Sequence, residues 1–125
     1  MQLVKKIVIS AIMATVSLTA FAEATGEGKV RAAAEGTIVK IQEAVDLADQ
    51  GKDAVEISQA INAARQLQKE FRYEGTERQR QKANEKLRVA REAFEKGDTE
   101  NAKATLKEAL GNFTEMKTIY DAAHK

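Results

Sequence analysis

Very few side chains in this sequence could carry out covalent chemistry. The 125-residue chain has one histidine, His124, no cysteine, and beyond residue 22 a single serine, Ser58. A hydroxyl nucleophile needs a base and an orienting acid held against it. Ser58 lies inside an apolar-periodic stretch without a nucleophile-elbow context, and His124 is the penultimate residue, so no triad is expected. Composition excludes thiol chemistry, a cysteine zinc module, a disulfide framework and a haem held by two histidines of one subunit. The glycines stand singly rather than in a loop after a strand, so no phosphate cradle is expected.

Carboxylates and cations offer more. Helical di-metal centres use Glu and Glu-x-x-His ligands pointing inward; the nearest pattern here is one Asp121-x-x-His124, and the apolar-face positions hold no acid. Glu43, Asp46 and Asp49 share a helix face at i, i+3 and i+6. They either hold a hard cation weakly through oxygen or form an ordinary solvated face. Arg78, Arg80, Lys82, Lys86, Arg88 and Arg91 stand against Glu85 alone between 78 and 91. That run is a patch for an anionic ligand, protein or membrane surface, or a basic helix lying beside the acidic first helix, or simply a charged outer face with i,i+4 pairs such as Glu92 with Lys96.

The segments that must position these groups begin with an export signal. Lys5 and Lys6 form a positive n-region, Ile7 to Leu18 is mostly apolar, and Ala20-Phe21-Ala22 is a small-x-small cleavage site. The run from Ile7 to Ala22 is 16 residues and contains Ser10, Thr15, Ser17 and Thr19, short of the roughly 20 apolar residues of a membrane span. Cleavage of 22 residues leaves 103, one small domain. It also takes Lys+Arg from 20 to 18 against 19 Asp+Glu, a net charge of about −1. The expected location is the periplasm or the exterior, with no stable membrane anchor after cleavage and no nucleic-acid partner.

Residues 23–29, with Gly26 and Gly28, read as a flexible leader. From 30 to 125 the period is helical throughout. Val30, Ala34, Ile38, Ile41, Val45 and Ala48 form the apolar face of a first helix ended by Gly51. Asp53 and Glu56 form a capping-box pattern before a second helix with Ile57, Ala60, Ala64, Leu67 and Phe71 inward, widened by Ile61. Thr76 and Gln79 repeat the pattern before a third helix with Ala83, Leu87, Ala90 and Phe94. Its start, Thr76 to Lys82, has no apolar residue and is expected to face water or a partner. After Gly97 and a cap at Asp98 or Thr99, Ala102, Leu106, Ala109, Phe113, Met116, Tyr120 and Ala123 form a heptad seam.

A shift of 46 residues superposes Ile41 on Leu87, Gly51 on Gly97 and Leu67 on Phe113, which implies two similar helical hairpins. Neither can bury its stripes alone, so the expected fold is all-α, an antiparallel up-down-up-down four-helix bundle. That topology brings the end of the second helix, the start of the third and the end of the fourth to one pole. Phe71, Tyr73, Arg78, Arg80, Tyr120 and His124, with Arg72 and Asp121, gather there as a candidate ligand or partner surface. The alternative is that the tyrosines cap the end with their hydroxyls in water.

The paired hairpins, with Ala93-Phe94-x2-Gly97 followed by Ala102, Leu106, Ala109, Leu110 and Phe113 and the similar Ala44 to Leu67 segment, resemble the small metal-binding protein family. Those exported, duplicated helical-hairpin proteins take up copper and other divalent metals through many surface histidines. Where that family is dense in His, this chain has Gln, Glu, Lys, Asn and Arg. A second resemblance is to the periplasmic four-helix b-type cytochromes, whose last hairpin is similar near Tyr120 and His124. Those proteins ligate haem through a Met near the start of the first helix, whereas the only Met beyond residue 22 is Met116. The resemblances imply a non-enzymatic periplasmic helical binding protein, with a divalent metal as possible ligand and no cofactor required. The alternative is a structural or chaperone-like envelope protein that binds partner proteins through the charged third helix and the aromatic end.

Overall fold

The computed structural model describes residues 26–125, so the export signal at 1–22 lies outside the described residues. Those residues form four α-helices, α1 Glu27–Asp49, α2 Ala54–Leu67, α3 Glu77–Glu95 and α4 Thr99–Ala123. Two short 3-10 turns, Gln68–Glu70 and Glu74–Thr76, join α2 to α3. The first helix begins earlier than the apolar period does. Glu27, Gly28 and Lys29, read as leader, are its first turn, and the Gly26 carbonyl accepts from Val30 N at 3.1 Å. Contacts from other helices hold that turn, as described below.

Gly51 and Gly97 stop α1 and α3 in the same way. At Gly51 φ is +74° and at Gly97 +85°, a left-handed conformation that favours a residue without Cβ. Lys52 N donates to Leu47 O and Gly51 N to Ala48 O; 46 residues on, Asp98 N donates to Ala93 O and Gly97 N to Phe94 O. Both are Schellman motifs, which satisfy carbonyls left over at a helix end. At the next helix starts the two turns differ. Asp53 Oδ1 accepts from Glu56 N at 3.0 Å, as its capping-box pattern predicts, whereas Asp98 makes no side-chain bond to the backbone of α4. Thr76 also fails to cap α3. Its hydroxyl is turned back onto the preceding 3-10 turn, where it donates to Tyr73 O at 3.4 Å.

One apolar core runs through all four helices. Ala33, Ala34, Ala44, Ala60, Ala64, Ala83, Ala90, Ala102 and Ala109 let the backbones approach closely. The space between them is filled by Ile41, Ile61, Leu87, Leu106, Phe113 and Met116, all fully buried. The α4 seam is buried from Ala102 to Tyr120, while Ala123 is exposed in the last turn. In α1 the buried stripe is wider than the period suggests, because Ala33, Thr37 and Ala44 join it. Thr37 is tolerated inside because its hydroxyl donates to Ala33 O at 2.7 Å. Gly36 admits Leu67: a Cβ at position 36 would come within 3.2 Å of the Leu67 Cδ1.

Each of α1 and α3 packs against both α2 and α4. Polar cross-links fix the register. Lys103 of α4 pairs with Asp49 of α1 at 3.2 Å, Lys86 of α3 donates to Asn112 of α4 at 2.8 Å, and Arg91 of α3 donates to Asn62 of α2 at 3.0 Å. The basic run of α3 therefore meets α2 and α4 rather than lying along an acidic α1. Arg88 is held within its own helix by Glu85 and Glu92.

Candidate functional site

The site is built where the start of α1, the end of α2 and the end of α4 converge. Phe71 follows the first 3-10 turn, with its N–H on Gln68 O at 3.0 Å, and its ring is fully buried. Tyr73, in extended backbone, carries its ring across Gly75. A Cβ at Gly75 would sit 2.7 Å from the Tyr73 Cε2, so a residue without a side chain is needed at that position. Tyr120 ends the buried seam of α4, and His124 follows one helical turn later.

These rings touch. Tyr120 meets Phe71 edge-on with centroids 6.1 Å apart and Tyr73 edge-on at 5.2 Å. His124 stacks on Tyr120 at 3.9 Å with an interplanar angle of 22°, and meets the Tyr73 edge at 5.2 Å. Edge-to-face and offset geometries are those that the ring quadrupole favours. Phe71 and Tyr120 are buried, whereas Tyr73 and His124 are half-buried and form the outer surface.

A polar collar holds the rings. Tyr120 Oη donates to Glu27 O at 3.3 Å, which fastens α4 to the first turn of α1. The Arg31 guanidinium lies 5.6 Å from the Tyr120 ring centroid and donates from Nε to Asp121 Oδ1 at 2.9 Å. Lys117 Nζ takes Asp121 Oδ2 at 2.6 Å. Bonds from Lys117 and Arg31 hold the Asp121 carboxyl below its usual range, and burial pushes the Tyr120 phenol above its own. His124 Nδ1 lies 2.7 Å from Tyr120 O. A carbonyl only accepts, so Nδ1 carries the proton and Nε2 is left as acceptor in the neutral ring or donor in the charged one.

Of the six residues expected at this pole, Phe71, Tyr73, Tyr120 and His124 come together. Arg80 turns inward. It is 8% exposed, donating to the Gln68 side chain and to both oxygens of Glu77, whose carboxyl it holds below the usual range. It therefore ties the end of α2 to the start of α3, so this expectedly wet turn is partly interior. Arg78 is exposed. Sequence reasoning missed Arg31 and Glu27, although the start of the first helix belongs to the same end in the expected topology.

The other candidates are dispersed. Glu43 pairs with Lys40, Asp46 accepts from Gln42, and Asp49 pairs with Lys103. Among the described residues no group of three or more His, Asp or Glu side chains is placed to hold a metal ion. Ser58 is buried in the second turn of α2, whereas His124 stacks on Tyr120 beyond the other end of that helix. No described helix is long and apolar enough to cross a membrane. No protein-family model, curated protein or solved structure matches the chain.

Proposed function

We propose that this chain is an exported, non-enzymatic helical binding protein that engages a partner protein of the cell envelope through its aromatic end. The observation that carries this reading is the half-open ring cluster. Tyr73 and His124 are presented to solvent on a fixed base of Tyr120 and Phe71, with Arg31 beside them. Tyr and Arg in rigid, partly desolvated settings are the residue types that dominate protein–protein hot spots. Because the rings are already ordered by one another, a partner would meet little further entropy cost there.

In this reading the helices form an antiparallel up-down-up-down bundle of two similar hairpins, as in the small metal-binding proteins. Support comes from the cross-links between neighbouring helices and from the matched Schellman turns 46 residues apart. The proposed likeness to that family is one of architecture alone, and a divalent metal is not required for the binding proposed. Capture from an envelope extract tests the reading. A Tyr73→Ser, His124→Ser double variant should retain the partner about 30-fold less well than the parent, the scale of a hot spot of 2 kcal/mol. Equal retention by a variant with an unchanged melting curve would contradict it.

A further inference from the structure

A second surface, independent of the aromatic end, lies in the groove between α2 and α3. It has a volume of about 310 Å³ and is lined by Asn62, Arg65, Gln66, Lys69, Asn84 and Arg91, with Gln68 at its floor. Its charge is one-sided, with three cations and no carboxylate in the lining. Elsewhere on the molecule Arg31, Arg72, Arg80, Arg88, Lys103 and Lys117 pair with acids. In this groove the partners are neutral amides. Arg65 Nε donates to Asn84 Oδ1 at 3.2 Å, Arg91 Nη1 to Asn62 Oδ1 at 3.0 Å, and Lys69 Nζ to Gln66 Oε1 at 3.2 Å.

The consequence is a surface made almost entirely of donors. Each amide gives its oxygen to a cation, which leaves the NH2 groups of Asn62, Asn84 and Gln66 as donors, and the three cations have N–H groups to spare. The Gln68 oxygen is occupied by Arg80. Glu85 accepts at Oε2 from both Nε and Nη2 of Arg88, which holds its carboxyl below the usual range, with the Arg65 charge a smaller influence. An amide oxygen orients a guanidinium or an ammonium without bringing it a counter-charge. Such a lining is complementary to a ligand that only accepts. The lining runs seven steps along the chain on each side, from Asn62 on α2 to Lys69 in the 3-10 turn that follows it and from Asn84 to Arg91 on α3, or about 10 Å. One small anion cannot reach all three cations over that length.

We propose that the α2/α3 groove binds a compact polyol bearing two or more phosphate or sulfate esters, with Arg65, Lys69 and Arg91 on its oxyanions and the Asn62 and Asn84 amides donating between them. Phosphate and sulfate share the chemistry; geometry and charge of the ligand distinguish the sources. The test is a titration of the full chain at 0.1 M salt with inositol hexakisphosphate, sucrose octasulfate and inorganic phosphate as probes. The expected result is saturable 1:1 binding of at least one polyanion, with inorganic phosphate at least tenfold weaker by about the value of one charged hydrogen bond. If only the hexakisphosphate binds, the ligand is a phosphate ester; if only the octasulfate binds, it is a sulfate ester. An Asn62→Asp, Asn84→Asp variant gives both arginines a carboxylate partner, so it keeps the fold while lowering the groove charge. That variant should bind about tenfold or more weakly, since each lost charge-assisted contact is worth that much. Lys107→Gln, an exposed change on α4 outside the groove lining, should alter affinity less than about twofold, as expected for one solvent-screened charge. Three results would each overturn the proposal: no saturable binding of either polyanion, equal loss in Lys107→Gln and the double variant, or inorganic phosphate binding as tightly as the esters.

Discussion

The two ends of this molecule are closed by different physics. One end carries the turns at Gly51 and Gly97, where four backbone hydrogen bonds and two left-handed glycines do the work, all within six residues of sequence. The other is closed by side chains from distant parts of the chain. Tyr120 reaches Glu27 across 93 positions, Arg31 reaches Asp121 across 90, and Phe71 and Tyr73 pack on the same tyrosine. A locally specified turn tolerates most exposed neighbours, whereas a nonlocal cluster places demands on every ring in it. The difference explains why partner binding is assigned to the second end: there folding brings aromatic rings from remote segments together on one half-open surface.

Substitutions can break that contrast. Tyr120→Ala is expected to have the largest effect, a loss of about 3–5 kcal/mol by analogy with buried aromatic truncations, measured by urea unfolding. Gly75→Ala comes next. Its new Cβ meets the Tyr73 ring, which is wedged against Tyr120 and His124, so a cost of about 1–3 kcal/mol from overpacking is expected. A changed near-UV tyrosine signal should accompany it. Gly51→Ala and Gly97→Ala should each cost about 1–2 kcal/mol, the penalty for a Cβ in left-handed backbone, and leave that signal unchanged. If either glycine variant cost as much as Tyr120→Ala, or disturbed the tyrosine signal, the two ends would not be separable.

Acid titration sharpens the comparison with the smallest effect. Asp121 has a depressed folded pKa, so its contribution to stability is present above the unfolded value near about pH 4 and is lost as pH falls through the folded one. Asp121→Asn should therefore lose less stability than the parent between pH 5 and 2, as followed by melting curves. The carboxylate is over a third exposed, which keeps the difference small. An identical acid profile for both proteins would remove Asp121 from the collar.

Much of the helical framework was legible because burial follows a 3.6-residue period. The α4 positions from Ala102 to Tyr120 are inside, as the heptad steps require, and the 46-residue shift returns as two identical turn motifs. Sequence spacing failed where a partner is remote. Arg80 reads as a surface cation, yet its charge is interior because Gln68 and Glu77 accept from it. Thr76 has the composition of a cap, but the 3-10 turn before it redirects its hydroxyl to Tyr73 O. Within the candidate site the rings were foreseeable from topology. The collar was not, since Arg31 and Glu27 lie where the apolar period has barely begun, and the amide-lined groove depends on pairings 19 and 29 residues apart.

The most direct measurement is site-specific photo-crosslinking in the intact cell envelope, with a benzoylphenylalanine at position 73 compared with the same probe at exposed, uncrowded Gly111. A discrete higher-mass adduct from position 73 and none from position 111 is the predicted result. No adduct at 73, or the same adduct from both positions, would contradict the assignment of the aromatic end as the binding surface.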